Sequence, residues 1–244
     1  MYSQVDDADR SVKRRGTFPN RRFVPIPDTG YRQVGYTYFF ANRYDAGLLA
    51  HGIVSWLELL MNPEIRSAID YYERHPISSE IILAKLNASR SHLDDLGPEE
   101  LFPHDQDHYG GLAANDALAK RAGIGKGTRV VDFCSSLGGP SRYFAHRFGA
   151  DVTGVELTPA RVKGAEELTR LVGLQNSVRV IEGNVMRVPL PDASVDVVVS
   201  QEALLHVPDK ERTLAEALRI LKPGGRIAFT DWVAHRPLLM PTRN

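Results

Sequence analysis

The stretch VVDFCSSLGGPSRYFA, residues 130–145, decides how this chain is read. An apolar run ends in Asp132, passes through small residues and enters a helical pattern at Gly138-Gly139-Pro140. Small residues let a backbone approach a ligand closely, and a helix N-terminus offers free amides. Glu156 closes the next apolar run, 18 residues after Gly138, where a carboxylate accepts hydrogen bonds from ribose hydroxyls. Two nucleoside ligands fit such a unit. The dinucleotide pattern G-x-G-x-x-G meets Cys134, Ser136 and Gly139, so only its third glycine is present. An acid followed by three glycines at alternate positions meets Asp132, Cys134, Ser136 and Gly138, so the acid and the last glycine are present.

Around this stretch the apolar period alternates between strand and helix. Strands are expected at Arg129–Cys134, Asp151–Glu156, Val178–Glu182, Val195–Ser200 and Arg226–Asp231. Helical spacing fills Pro140–Phe148, Thr158–Val172 and Lys210–Leu221 between them. Thr158-Pro159 is an N-cap followed by proline at the first helical position, and Gly173 follows the last turn. Strands alternating with helices through short turns predict a doubly wound, Rossmann-like α/β domain with a mostly parallel sheet.

Upstream, residues 61–123 read as a helical cap. Ile65, Ala68, Ile69 and Tyr72 recur at helical spacing up to His75-Pro76. Ser78 or Ser79 caps a second helix, Pro98 opens a short third one, and Leu112–Ala122 ends at Gly123. Residues 1–60 read as an extension of poor order, with a hairpin signal at Pro27-Asp28-Thr29-Gly30. The division is therefore an extension over 1–60, a cap over 61–123 and a ligand-binding domain over 124–244.

Composition narrows the function classes. The 244 residues are 43% hydrophobic and 25% charged, which is ordinary for globular chains and excludes collagen-like, coiled-coil and wholly disordered readings. Thirty basic residues balance thirty acidic ones, so no global attraction for nucleic acid or membrane is expected. A single cysteine, Cys134, rules out an intrachain disulfide and a cysteine zinc cluster. The opening MYSQVDDADRSVKRR lacks the apolar core of a signal peptide, and Leu48–Met61 is too short to span a bilayer. A cytoplasmic location is expected.

Two further stretches carry a resemblance: IEGNVMRVPLPDASVDVVVSQEALLH at 181–206 and RILKPGGRIAFTD at 219–231. With the loop at 130–145, the chain over about residues 105–232 resembles class I S-adenosylmethionine-dependent methyltransferases. GGPSRYFA and SQEALLHVPDKERTLAEALRILKPGG look like the small-molecule methylases of glycine derivatives, phosphoethanolamine, sterols or tocopherols.

The resemblance implies S-adenosylmethionine as cofactor and a small-molecule methyl acceptor, with nitrogen the expected target. It implies that Asp132 holds the methionine ammonium and that Ser135, Ser136, Gly138 and Gly139 line the methionine and ribose. By the same resemblance Glu156 grips the ribose hydroxyls, Asn184 and the Val185 amide meet adenine, and Gln201 sits beside the reactive methyl. His206 is the candidate general base, Glu202 the candidate holder of a cationic amine, and Tyr109 the candidate covering residue. Where the family has glycine, this chain has Cys134 and Ser136, and where it has aspartate, Asn184. A positive φ at Ser136 costs of order 1 kcal/mol. These departures favour a second reading, a degenerate nucleoside-binding protein on the same scaffold.

Other candidates have plainer explanations. His104, Asp105, Asp107 and His108 lack a third strong ligand at diagnostic spacing and read as a polar loop, so no metal is expected. Cys134 suits ligand contact better than thiolate chemistry. Tyr31–Tyr44 has no basic stripe for nucleic acid. Tyr143 and Trp232 are candidates for contact with a cation, with core packing favoured for Tyr143. After Asp231 thirteen residues remain, enough for one short strand where the family has two, so C-terminal strands are expected to be missing. That leaves the fifth strand at a sheet edge and predicts a dimer or an unstable monomer.

Overall fold

The computed structural model describes residues 62–90 and 92–232. The hairpin at Pro27–Gly30, the runs Tyr31–Tyr44 and Leu48–Met61, and the strand expected beyond Trp232 lie outside the described residues.

Helix α1, Pro63–Glu73, starts where Asn62 Oδ1 accepts the Glu64 amide at 2.8 Å, with proline at the first helical position. Ser78, not Ser79, caps α2, Ser79–Ser89, by accepting the Ile81 amide. Then come α3, Pro98–Asp105, and α4, Gly111–Ala122, which ends at Gly123 with φ 73°. The crossover units follow as β1 Arg129–Phe133, α5 Gly139–Phe148, β2 Asp151–Glu156, α6 Pro159–Leu171 and β3 Val178–Glu182. The chain finishes with β4 Val195–Gln201, a short 3-10 turn Leu204–His206, α7 Lys210–Ile220 and β5 Leu221–Thr230. No helix among the described residues is long and apolar enough to cross a membrane.

All four strand pairings are parallel, in the order β3-β2-β1-β4-β5. The chain winds from β1 to β3 on one side, then crosses back to lay β4 against the other side of β1. That reversal opens a crevice at the carboxyl ends of β1 and β4, the usual ligand position in this class. Among the described residues β5 is an edge.

Both sheet faces are buried, and the alternation along each strand sorts the core. Val131, Phe133, Val198, Ile227 and Phe229 pack with Ile65 of α1 and with Ala217 and Ile220 of α7. Val130, Val152, Val197, Val199 and Ala228 pack on the opposite face with Leu118, Ala122, Tyr143 and Phe144 of α4 and α5. Ile82, Leu86 and Leu101 of α2 and α3 share a third cluster with Leu137 and with Leu168 of α6.

Beyond small shifts at element ends, two details differ from the sequence-based expectation. β5 begins at Leu221 rather than Arg226, because Leu221 pairs with Val195 and Arg226 with Val197. Lys222-Pro223-Gly224-Gly225 therefore bulges opposite Asp196, with Gly224 at φ 82° and Lys222 Nζ 2.7 Å from Asp196 Oδ1. Thr158 precedes α6 but its side chain makes no cap; its amide donates instead to Glu156 Oε1 at 2.8 Å.

The cap is pinned by a wholly buried ion pair. Arg142 of α5 donates through Nη2 and Nε to Asp105 Oδ2 at 2.9 and 3.2 Å. The same guanidinium donates to the carbonyls of Leu137 and Ala165 and to Thr169 Oγ1. Removing one partner of such a pair strands the other charge in the core. Asp105→Ala is expected to lower unfolding free energy by about 3–5 kcal/mol, measured by urea denaturation; a loss under about 1 kcal/mol would show that the pair is not structural.

Candidate functional site

The turn from β1 into α5 is the centre of the site. Cys134, Ser136 and Gly138 all take positive φ, at 57°, 53° and 76°. Two of the three carry a Cβ, so the strain anticipated for Ser136 is present and is shared by Cys134. The loop is held from outside. The Ser135 amide donates to the Val155 carbonyl at 3.2 Å, the Ser136 amide to Glu156 Oε2 at 2.9 Å, and Arg142 Nη2 to the Leu137 carbonyl at 2.6 Å. Gly139 is required by close approach, because a Cβ there would collide with the Asp105 carbonyl.

Asp132, the last residue but one of β1, is 3% exposed, and its Oδ2 accepts the Ser141 hydroxyl at 2.6 Å. Burial raises its pKa to about 7, against the pull of that hydroxyl. Glu156 is also buried, and its two oxygens accept the Ser136 and Thr158 amides, which fixes the carboxylate's orientation. Asn184 Oδ1 accepts the Met186 amide at 2.8 Å, so one of its lone pairs is already used. Three buried polar atoms in the site have no partner: Ser135 Oγ and both Nε2 and Oε1 of Gln201. Buried amides and hydroxyls are ordinarily satisfied, so these atoms call for a ligand that carries donors and acceptors.

One cavity gathers Asp132, Ser135, Ser136, Gly139, Glu156, Asn184, Val185, Gln201, Glu202 and His206. Two candidates stand apart from it. Gly138 supports the loop from behind, facing Arg142 and Ala165. Tyr109 is not among the residues that line the cavity. The residue is 57% exposed, its ring meets Trp232 edge-on at 5.0 Å, and its amide donates to Glu202 Oε1 at 3.1 Å. Two residues before Tyr109, in the link between α3 and α4, Asp107 Oδ2 accepts from Arg161 Nη1 at 3.3 Å. Tyr143 is core, packed on Phe102 with its hydroxyl on Asp116.

The roof is α1. Ile65, Ala68, Ile69 and Tyr72, the stripe read from the sequence as helical periodicity, all line the cavity. His108 and Arg161 line it as well. The stripe was the one available signal for the roof, and nothing in the local sequence around Arg161 marked that residue. At the far end His206 stacks on Tyr71 at 5.9 Å and meets Tyr72 edge-on at 5.4 Å. Burial lowers the His206 pKa, so the neutral imidazole dominates at pH 7. Burial raises the pKa of Glu202, of the Tyr72 phenol and of the Cys134 thiol, which keeps Cys134 from acting as a thiolate. The polar cluster at 104–108 is dispersed. Asp105 binds Arg142, Asp107 faces Arg161, and His108 Nε2 contacts Gln106 Oε1 at 3.2 Å. Among the described residues no group of three or more such side chains is arranged to hold a metal.

Comparison with known proteins agrees with this geometry. Residues 131–229 match the family described as "Methyltransferase domain". The chain is 36% identical over 117 residues to a glycine/sarcosine/dimethylglycine N-methyltransferase of Actinopolyspora halophila, covering 48% of this chain and 21% of that one. It is 33% identical over 164 residues to the 2-methyl-6-phytyl-1,4-hydroquinone methyltransferase of Synechocystis, covering 67% and 43%. The chain thus spans less than half the length of these relatives. The fold matches a phosphoethanolamine N-methyltransferase of Haemonchus contortus solved with S-adenosyl-L-methionine, with a TM-score of 0.57, 24% identity, and 78% and 39% of the two chains covered.

The Asp132 carboxyl makes stability fall with pH. With its folded pKa near 7, above the unfolded 3.8, the folded state holds the extra proton between those values. Its contribution is complete below the unfolded value and is lost as pH rises through 7. Asp132→Asn is expected to flatten the decline in unfolding free energy between pH 5 and pH 8, followed by urea denaturation without ligand. An unchanged slope would mean that Asp132 ionises normally.

Proposed function

We propose that this chain, whose residues 131–229 form a methyltransferase domain of the class I S-adenosylmethionine-dependent type, transfers a methyl group from S-adenosylmethionine to a small molecule, at nitrogen. The supporting observation is one cavity that joins a buried acid at the end of β1, an oriented acid at the end of β2, and the unpartnered Gln201 amide. These residues suit a ligand with a cationic amine, a ribose diol and an adenine ring.

When bound, S-adenosylmethionine supplies a methyl group already activated on sulfonium. The chain's part is then to hold, orient and remove protons. In this reading Asp132 binds the methionine ammonium, and that charge draws its carboxyl to the ionised form. Each Glu156 oxygen keeps a free lone pair for a ribose hydroxyl. Asn184 Oδ1 and the Val185 amide serve adenine. Ser135, Ser136 and Gly139 face the methionine and ribose, with Gly138 setting the turn behind them. Gln201 stands beside the reactive end.

Beyond Gln201, neutral His206 takes the proton from the acceptor amine, and Glu202 holds an acceptor that arrives as a cation. The nitrogen assignment rests on this base and acid together, with the aromatic faces of Tyr71 and Tyr72 next to them. The same reading keeps the extension, cap and ligand-binding divisions and a homodimer. Light scattering on the full chain checks the dimer.

Calorimetric titration with S-adenosylhomocysteine is the first test; no heat and no thermal shift at millimolar ligand would sink the cofactor assignment. Glu156→Ala is expected to weaken binding by about 100-fold, the loss of two charge-assisted hydrogen bonds. His206→Asn is expected to lower transfer from labelled donor by about 10²–10⁴-fold while leaving that affinity unchanged. Because burial lowers the His206 pKa, the acid limb of the rate profile should fall below pH 6.5. The side chains of Cys134 and Ser136 in the strained loop favour a second reading, a nucleoside-binding protein without transfer. Binding with no labelled product across amines, acids and sterols would establish it.

A further inference from the structure

Arg161 lies in the first turn of α6, and its side chain is 4% exposed. Its guanidinium reaches four separate pieces of chain. Nη1 donates to Ser136 Oγ in the loop after β1 and sits 3.3 Å from Asp107 Oδ2 in the link between α3 and α4. Nε donates to the Tyr72 carbonyl near the end of α1 at 3.4 Å, and Nη2 to the Ile77 carbonyl beyond it at 3.2 Å. The guanidinium carbon also stands 4.7 Å over the Tyr72 ring. Tyr72, Asp107, Ser136 and Arg161 all border the cavity.

Two independent observations give this node a purpose. First, α1 has a weak hold of its own, since Ile65 is its one buried residue. A helix of eleven residues with one buried side chain is not stable by propensity and needs tertiary anchors. Second, Ser136 takes φ 53°, where glycine would be unstrained. Glycine there would also remove the hydroxyl that Arg161 binds. The Ser136 amide is already tied to Glu156, so this residue joins the acid at the end of β2 to the cation that grips the roof.

We propose that Arg161 is a positioning residue: anchored on the Ser136 hydroxyl, it ties α1 to the loop after β1 and so sets the roof of the reaction cavity. Asp107 balances its charge and brings the link before α4 into the same node. The contribution to methyl transfer rests on the function proposed above. The mechanical link does not.

The test is amide hydrogen exchange by mass spectrometry on the full chain without ligand, comparing wild type with Ser136→Gly, Ser136→Asn and Arg161→Lys. Ser136→Gly and Arg161→Lys are expected to speed exchange across 63–77 by about tenfold or more, with β1 and β2 unchanged. Ser136→Asn accepts a left-handed backbone and restores an acceptor oxygen, so it is expected to return protection to α1. Unchanged or slower exchange of α1 in Ser136→Gly overturns the proposal, because the serine then contributes only strain. Equal acceleration in β1 and β2 overturns it too, as general destabilisation. Titrating the same proteins with S-adenosylhomocysteine separates the two readings: no binding by wild type overturns the methyltransferase assignment and leaves the exchange result standing.

Discussion

The backbone turns from β1 into α5 through Cys134 and Ser136 in the left-handed region, a conformation that side chains resist and that a free peptide would leave. Its persistence has to come from the surroundings. Arg142 holds the Leu137 carbonyl from below, Glu156 holds the Ser136 amide from the side, and Arg161 takes the Ser136 hydroxyl from above. Each of these anchors is itself fixed by another layer: Arg142 by Asp105 of α3 and by α6, Glu156 by the Thr158 amide, Arg161 by the end of α1. The cap, β2 and α6 are therefore registered against one short turn. The same turn aims Asp132 and Ser135 into the cavity, so its stability and its ligand geometry are a single problem.

Most of the sheet was legible in the sequence, for local reasons. Strand and helix periods alternate cleanly from Gly127 onward, and glycines or prolines stand at the breaks. β2 and β3 fall on the residues expected, and β1 stops one residue early because Cys134 turns left-handed. The start of β5 was not legible. Pro223-Gly224-Gly225 reads as a stop, and only pairing of Leu221 with Val195 across the sheet extends the strand through it. Thr158 makes no side-chain cap on α6, where the Arg161 amide donates to its backbone carbonyl instead.

The site divides the same way. Asp132, the small-residue loop and Glu156 sit within one crossover unit, and so were readable as a group. The fate of Tyr109 was not, since the path of its segment is set by Asp105 on Arg142 and Asp107 on Arg161, contacts 37 and 54 residues apart. Arg161 looks in sequence like one more charge on a solvated helix face. Its burial exists only because remote stretches of chain converge on it. The stripe on α1 was seen, but periodicity cannot say whether an apolar face meets a core or a ligand. Here it does both: Ile65 and Ile69 pack with the core and also line the cavity, and Tyr72 lines the cavity beside them.

The docking of α1 against the turn at Leu204–His206 has a consequence for how the molecule is made. Tyr71 and His206 stack across 135 residues of chain, with nearly the whole sheet between them. A parallel sheet in which the chain must cross from β3 over β2 and β1 to place β4 on the far side of β1 is already a slow, high-contact-order assembly. Helix α1, which precedes every strand among the described residues, therefore has no complete docking surface until β4 and the residues after it have emerged. It waits as a marginal, apolar-striped segment while the sheet forms, which is the interval in which such chains aggregate or recruit chaperones. A chain interrupted before β4 would present the loop and both acids without the turn that α1 docks against.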